Sequence, residues 1–146
     1  MRILGIGSPS GDDQAGWLVI DALLAEGVQA GAGLAIEKLD RPGATLIPRL
    51  ENASWVILID AMQGGGPAGS IRHFDRNDWP GYGGGLSSHG FGVLDALALA
   101  RELGSLPPRL DVYGIEIGSA MSGEAPGAAV AVAARQLARR IAAELR

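Results

Sequence analysis

The sequence contains no cysteine, so neither disulfide bonds nor cysteine-ligated metal sites can form within its 146 residues. Basic residues are few: Lys38 is the single lysine, and the formal net charge is −4. No basic stripe follows the pattern of a nucleic-acid-binding surface, so we expect no nucleic-acid partner. Apolar runs such as Trp55 to Ile59 are far shorter than the roughly 20 residues that cross a bilayer. These absences favour a cytoplasmic protein that binds neither nucleic acid nor a membrane.

Several common catalytic motifs are also missing. Gly5-Ile6-Gly7 begins like a dinucleotide-binding fingerprint, but Ser10 stands where the third glycine would be. There is no P-loop lysine, no G-x-S-x-G elbow around Ser87, and no His-Glu-x-x-His helix. The sequence therefore shows no nucleophile–base arrangement of a serine or cysteine protease.

The order of apolar runs indicates the fold. Short runs predict strands over residues 2–7, 34–39, 55–60, 70–74 and 110–117, the fourth at an edge. Helical spacing predicts helices after residue 12 and over 42–50, 90–103 and 125–146, with Trp17, Ile20 and Leu24 on one face of the first. This alternation predicts an α/β fold, a three-layer sandwich with a mostly parallel twisted sheet of about five strands and helices on both faces. We expect residues 1–146 to form a single domain.

Polar side chains follow predicted strands or open predicted helices at Asp13, Asp60 and His89. Parallel sheets bind ligands at the carboxyl ends of their strands, so we expect these side chains to share one rim, outside the core. Two carboxylates and an imidazole suit a borderline divalent cation such as nickel or zinc. The same groups could instead act as general acid and base.

Each of these residues also has a purely structural interpretation. Asp12 or Asp13 could cap the first helix, and Asp60 could cap a turn. His89 could cap a helix or form hydrogen bonds within a loop. His73, in a short alternating segment, is interpreted as structural or exposed.

Four segments in order resemble the hydrogenase maturation endopeptidase family. The first is a strand that leads through G-x-G to an acidic pair, over Ile3–Asp13. The others are an apolar strand ending in Asp-Ala (Val56–Ala61), a Ser-x-His segment (Ser87–Phe91) and a strand with an acidic residue near its end (Val112–Ile117). The resemblance extends over nearly the whole chain.

The resemblance implies an endopeptidase that removes a C-terminal extension from the nickel-loaded precursor of a nickel–iron hydrogenase large subunit. It implies that Asp13, Asp60 and His89 are metal ligands for a nickel ion that the substrate supplies, with none tightly held at rest. Asp40, an acidic residue after the second predicted strand, is implied as a catalytic residue that positions or deprotonates a water. We expect a monomer or a weak homo-oligomer.

The residues are also consistent with two other functions. A non-catalytic nickel-dependent maturation chaperone would use the same three ligands and cleave nothing. A small-molecule or nucleotide-binding α/β protein would use Gly5, Gly7 and the start of the first helix. A loss of mass from a nickel-loaded precursor separates the protease from the chaperone. A nucleotide-induced rise in melting temperature, unaffected by Asp60→Ala, would favour the third function.

Overall fold

The computed structural model describes residues 1–9, 11–79, 92–117 and 126–145. Its strands are β1 (Arg2–Gly7), β2 (Ala35–Asp40), β3 (Trp55–Met62), β4 (Ile71–Asp75) and β5 (Arg109–Glu116). Its helices are α1 (Ala15–Ala25), α2 (Ile47–Leu50), α3 (Val93–Glu102) and α4 (Ala128–Glu144). Two 3-10 turns, Gly11–Gln14 and Gly43–Leu46, precede α1 and α2. None of the helices in these described ranges has the length and hydropathy of a membrane span.

The strands form one five-stranded sheet in the order β2-β1-β3-β5-β4. The first four strands in this order are parallel, and β4 pairs antiparallel with β5 at the edge. The predicted mostly parallel sheet is confirmed, including the edge position of the fourth strand. The strand order reverses between β1 and β3, and open α/β sheets bind ligands in the crevice at such a switch point. The fold therefore indicates a candidate site at the carboxyl ends of β1 and β3.

Helices cover both faces of the sheet. α1 and α4 pack on one face, in a core cluster that includes Ile3 and Ile57. α2 and α3 pack on the other face, in a cluster that includes Leu4 and Leu58. Neighbouring residues of one strand thus belong to opposite layers, as strand alternation requires. The predicted three-layer sandwich is confirmed.

Glycines allow α1 to lie directly against the sheet. A Cβ atom on Gly16 would lie 2.2 Å from the carbonyl oxygen of Ile6 and 2.5 Å from that of Ile59. A Cβ atom on Gly5 would lie 2.5 Å from the carbonyl oxygen of Gly16. Without these side chains the helix backbone reaches β1 and β3, which brings the 3-10 turn that contains Asp13 to the switch point.

The same close approach determines which face of α1 is buried. Gly16 contacts the sheet, so residues three, four and seven positions later face it as well: Val19, Ile20 and Leu23. Leu23 is fully buried, whereas Leu24 is 51% exposed. The predicted face of this helix is therefore wrong at Leu24.

We expect Leu23→Ala to lower the free energy of unfolding by about 2–5 kcal/mol, because it leaves a cavity in a closed core. Leu24→Ala makes the same chemical change one residue later, and we expect a change below about 0.5 kcal/mol. Urea unfolding followed by tryptophan fluorescence measures both. Equal losses in the two variants would contradict this orientation of α1.

Candidate functional site

Three predicted site residues lie at the carboxyl end of the parallel strands, which we call the carboxyl rim. Asp60 lies near the end of β3, and Asp40 ends β2 in register with Gly7 of β1. Asp13 lies in the first 3-10 turn, which contacts both β1 and β3. His89 lies outside the described residues, so the structure places two of the three predicted metal ligands.

Asp60 is a buried carboxylate, with only 3% of its surface exposed. Its Oδ1 atom accepts a hydrogen bond from the backbone N–H of Ala61 at 2.8 Å. It projects from the same face of β3 as Leu58 and Met62, which is the face covered by α2 and α3. The expectation that the rim residues lie outside the core is therefore wrong for Asp60. An ionisable group buried at the end of a central strand is typical of functional sites.

Asp13 and Asp40 both interact electrostatically with one cation, Arg41. The Arg41 Nε atom donates to Oδ1 of Asp40 at 2.7 Å, and both side chains are about half exposed or more. Hydrogen bonding to Asp40 and its charge raise the pKa of Arg41, and the charge of Asp13 adds a smaller effect in the same direction. The backbone N–H of Arg41 donates to the carbonyl of Gly7 at 3.1 Å, which fixes this group beside the end of β1.

Neither Asp12 nor Asp13 caps α1. The N-cap residue is Gln14, whose side chain makes no capping hydrogen bond within the described part of the chain. Asp12 Oδ1 instead accepts the backbone N–H of Gly127, the N-cap residue of α4, at 2.6 Å. The carbonyl of Asp13 accepts the N–H of Ser8 at 3.3 Å, which closes the loop after β1. The capping interpretation of both aspartates is wrong, because they lie within the 3-10 turn that precedes α1 and the N-cap position is occupied by Gln14.

Glu116, at the end of β5, had no assigned role in the sequence. It is only 1% exposed, and both its carboxylate oxygens accept the N–H of Gly64, at 2.9 and 3.1 Å. Its register partner is Met62 of β3, so it projects from the same face of the sheet as Asp60 on the adjoining strand. The signal for Glu116 in the sequence was a single acidic residue in the otherwise apolar end of a strand.

His73 of β4 lies in a different cluster, on the α1 and α4 face. Its ring stacks on Tyr113 with centroids 4.4 Å apart, and its Nε2 atom is 2.7 Å from Oδ1 of Asp111. Asp111 also accepts a hydrogen bond from the Trp55 indole at 2.7 Å. Burial raises the pKa of the Tyr113 phenol, and the charge of Glu144 adds to this effect. These contacts give His73 a structural role, in agreement with the sequence.

The described residues contain no group of three or more histidine, aspartate or glutamate side chains arranged to hold a metal ion. The donors placed at the rim are oxygen atoms of the half-buried Asp13 and the buried Asp60. Carboxylate oxygens suit a divalent cation, and an imidazole would add affinity for nickel or zinc. The assignment of Asp13, Asp60 and His89 as metal ligands stays a prediction.

The space beside the first glycines is taken up by α1 and by the 3-10 turn that precedes it. A Cβ atom on Gly7 would lie 2.8 Å from the carbonyl oxygen of Asp13 and 3.1 Å from the Trp17 ring. Gly5 faces Gly16 in the same way. These glycines are required for helix packing, so they carry no argument for a nucleotide site.

Comparison with protein families identifies the family to which this chain belongs. The family model described as hydrogenase maturation protease matches residues 42–141, more than half of the chain. The chain belongs to the hydrogenase maturation protease family. The predicted resemblance is confirmed. The matched segment contains Asp60, His89 and Glu116, whereas Asp13 and Asp40 precede it. A search of curated proteins gave no match.

Solved structures of two hydrogenase maturation proteases and of one further endopeptidase have the same fold. The HycI NiFe hydrogenase maturation protease of Thermococcus kodakarensis KOD1 is 24% identical, with a TM-score of 0.75 over 99% of this chain and 90% of its own. The hydrogenase maturating endopeptidase HybD of E. coli is 20% identical, with a TM-score of 0.79 over 99% and 91%. An endopeptidase from Escherichia coli, solved in solution, is 21% identical, with a TM-score of 0.75 over 100% and 93%. At these identities the likeness establishes the fold.

Proposed function

We propose that this chain is a cytoplasmic endopeptidase that removes a C-terminal extension from the nickel-loaded precursor of a nickel–iron hydrogenase large subunit. The observation that carries the proposal is the family match over residues 42–141, which includes the buried Asp60 at the end of β3. In this proposal nickel belongs to the substrate, and it arrives held by the precursor.

The carboxyl rim supplies groups that suit such a substrate. Asp60 is preorganised, since its Oδ1 atom is fixed by the N–H of Ala61 and its surroundings exclude most water. Asp13 comes from the loop after β1, which is closed by the hydrogen bond from Ser8. His89 is the proposed third ligand. Together these side chains would bind the loaded precursor and hold its scissile segment at the switch point.

The arrangement would also reject an empty precursor. Two carboxylates that share a site repel each other, and a cation removes that repulsion. Each tenfold of discrimination between loaded and empty precursor requires roughly 1.4 kcal/mol of differential binding. The charge of the site therefore provides a physical basis for cleavage after nickel insertion and not before it.

Asp40 is the proposed group that positions the attacking water or takes its proton. Its carboxylate is hydrogen-bonded to Arg41 and exposed at the rim. A general base must reach the proton it abstracts, directly or through one water, when the substrate is bound. In this role Asp40 would act from the β2 side of the crevice, with Arg41 holding its orientation.

The direct test is incubation of the protein with nickel-loaded and nickel-free precursor, followed by intact mass measurement. We expect a discrete loss of mass from the C-terminus of the loaded precursor and none from the empty one. Tight binding without shortening would support a nickel-dependent chaperone instead. Equal cleavage of both precursors would contradict the role of nickel in recognition.

A further inference from the structure

Glu116 holds both ends of the connection between β3 and β4. Its side chain accepts the N–H of Gly64 near the start of the connection. Its backbone N–H donates to the carbonyl of Ser70, and its carbonyl accepts the N–H of Gly69, each at 2.8 Å. One residue of β5 thus contacts the beginning and the end of a segment that starts directly after β3.

The connection needs such an anchor because of its composition. Residues 64–66 are three consecutive glycines, and Gly69 is a fourth. Gly65 and Gly69 have φ values of +85° and +90°, a region that glycine adopts freely and other residues rarely do. A glycine-rich segment loses much conformational freedom when it is ordered, so contacts that fix it determine its position.

The fit between Glu116 and Gly64 is close. A Cβ atom on Gly64 would lie 2.6 Å from Oε1 of Glu116 and 3.1 Å from the terminal carbon of Met62. The carboxylate therefore occupies the space where a side chain would otherwise be. Met62 lies two residues after Asp60 in the same strand, so the contact links the turn to the strand end that bears the candidate ligand.

We propose that Glu116 is a positioning residue for the proteolytic site: its carboxylate holds Gly64 and so fixes the end of β3 and the orientation of Asp60. This inference rests on the proposed function for its catalytic consequence. The group that matters is the hydrogen-bond acceptor, because both oxygens contact one backbone N–H. The charge of Glu116 is not required for this role.

Two substitutions separate the effect of the Glu116 hydrogen-bond acceptor from that of its charge. Glu116→Gln keeps the size and one carbonyl oxygen that can accept the Gly64 N–H, and we expect a kcat within about 3-fold of the wild-type value. Glu116→Ala removes the acceptor, and we expect kcat to fall about 10- to 100-fold with little change in KM, because small misplacements of catalytic groups cost this much. Kinetics on the nickel-loaded precursor measure both values.

Asp111 provides a matched control at the other end of the same strand. It is a buried carboxylate that accepts hydrogen bonds from Trp55 and Arg109, far from the carboxyl rim. Asp111→Ala should reduce the melting temperature, as any such truncation does, while kcat measured below that temperature stays within about 3-fold. A purely structural role of Glu116 would make the two alanine variants behave alike, which would overturn the proposal.

Amide hydrogen exchange tests the inference without any cleavage. The Ala61 N–H donates to Asp60, so its exchange rate reports the position of that carboxylate. We expect Glu116→Ala to accelerate exchange at Gly64 and Ala61 by at least about tenfold, with Glu116→Gln unchanged. Unchanged Ala61 exchange in Glu116→Ala, or a Gln variant as inactive as the Ala variant, would overturn it. Failure of the wild-type protein to shorten the precursor would instead refute the proposed function, and the exchange result would still decide the role of Glu116.

Discussion

Asp60→Ala should lower kcat/KM for the nickel-loaded precursor by at least about 100-fold, the loss seen when one preorganised electrostatic group is removed from an active site. Asp60 is the described rim carboxylate with the least exposure apart from Glu116, at 3%. A charge held at such depth interacts more strongly with a cation than one in water does. Asp60→Asn keeps the shape and an acceptor for the Ala61 N–H, and we expect it to be nearly as inactive.

Measuring the stability of the Asp60 variants should distinguish a loss of activity from a loss of folding. Removing a buried carboxylate also removes the cost of its desolvation, so Asp60→Asn should change the free energy of unfolding by less than about 1.5 kcal/mol. Asp75 ends β4 and is exposed, and because β4 is antiparallel it lies at the opposite end of the sheet. Asp75→Asn should cleave at the wild-type rate. Normal processing by Asp60→Asn would remove Asp60 from the site.

Gly16→Ala should lower the free energy of unfolding by about 3 kcal/mol, even though alanine is the better helix former by roughly 1 kcal/mol. The added methyl would lie 2.2 and 2.5 Å from two backbone oxygens of β1 and β3, which cannot move as a flexible side chain would. The helix would have to move away from the sheet. Because Asp13 lies just before α1, we expect processing to fall as well.

Gly31 provides the matched control for this substitution. A Cβ atom there would have no neighbour within 4 Å, and the residue is not among those with positive φ. Gly31→Ala should therefore stay within about 0.5 kcal/mol of the wild-type stability. Urea unfolding of the two variants side by side gives the comparison, and similar curves would show that α1 tolerates a larger separation from the sheet than its geometry indicates.

Much of the fold could be predicted because its signals are local. The apolar run over Trp55–Ile59 is bounded by polar residues, and a strand buried on both faces has this pattern. Alternation of such runs with helical spacing then determines a mostly parallel sheet. The buried face of α1 could not be obtained in this way, since it depends on Gly16 meeting two other strands. The spacing of apolar residues along the helix does not reveal that contact.

The candidate site was predictable only where a residue's role follows from its place in one element. Asp60 at the end of an apolar strand is visible in the sequence, whereas its burial depends on the packing of α2 and α3. The prediction that Asp12 caps the first helix was wrong because its hydrogen-bond partner, Gly127, is 115 residues away in the sequence. The partner of Glu116 is 52 residues away, so its role also required the tertiary structure.

The hydrogen bond between Asp12 and Gly127 makes the candidate site depend on a distant helix. It joins the 3-10 turn that carries Asp13 to the start of α4, 115 residues away along the chain. A fragment without α4 would lose this hydrogen bond, and the turn would be held by its remaining contacts with β1, β3 and α1. The placement of Asp13 therefore relies in part on a helix that supplies none of the predicted ligands.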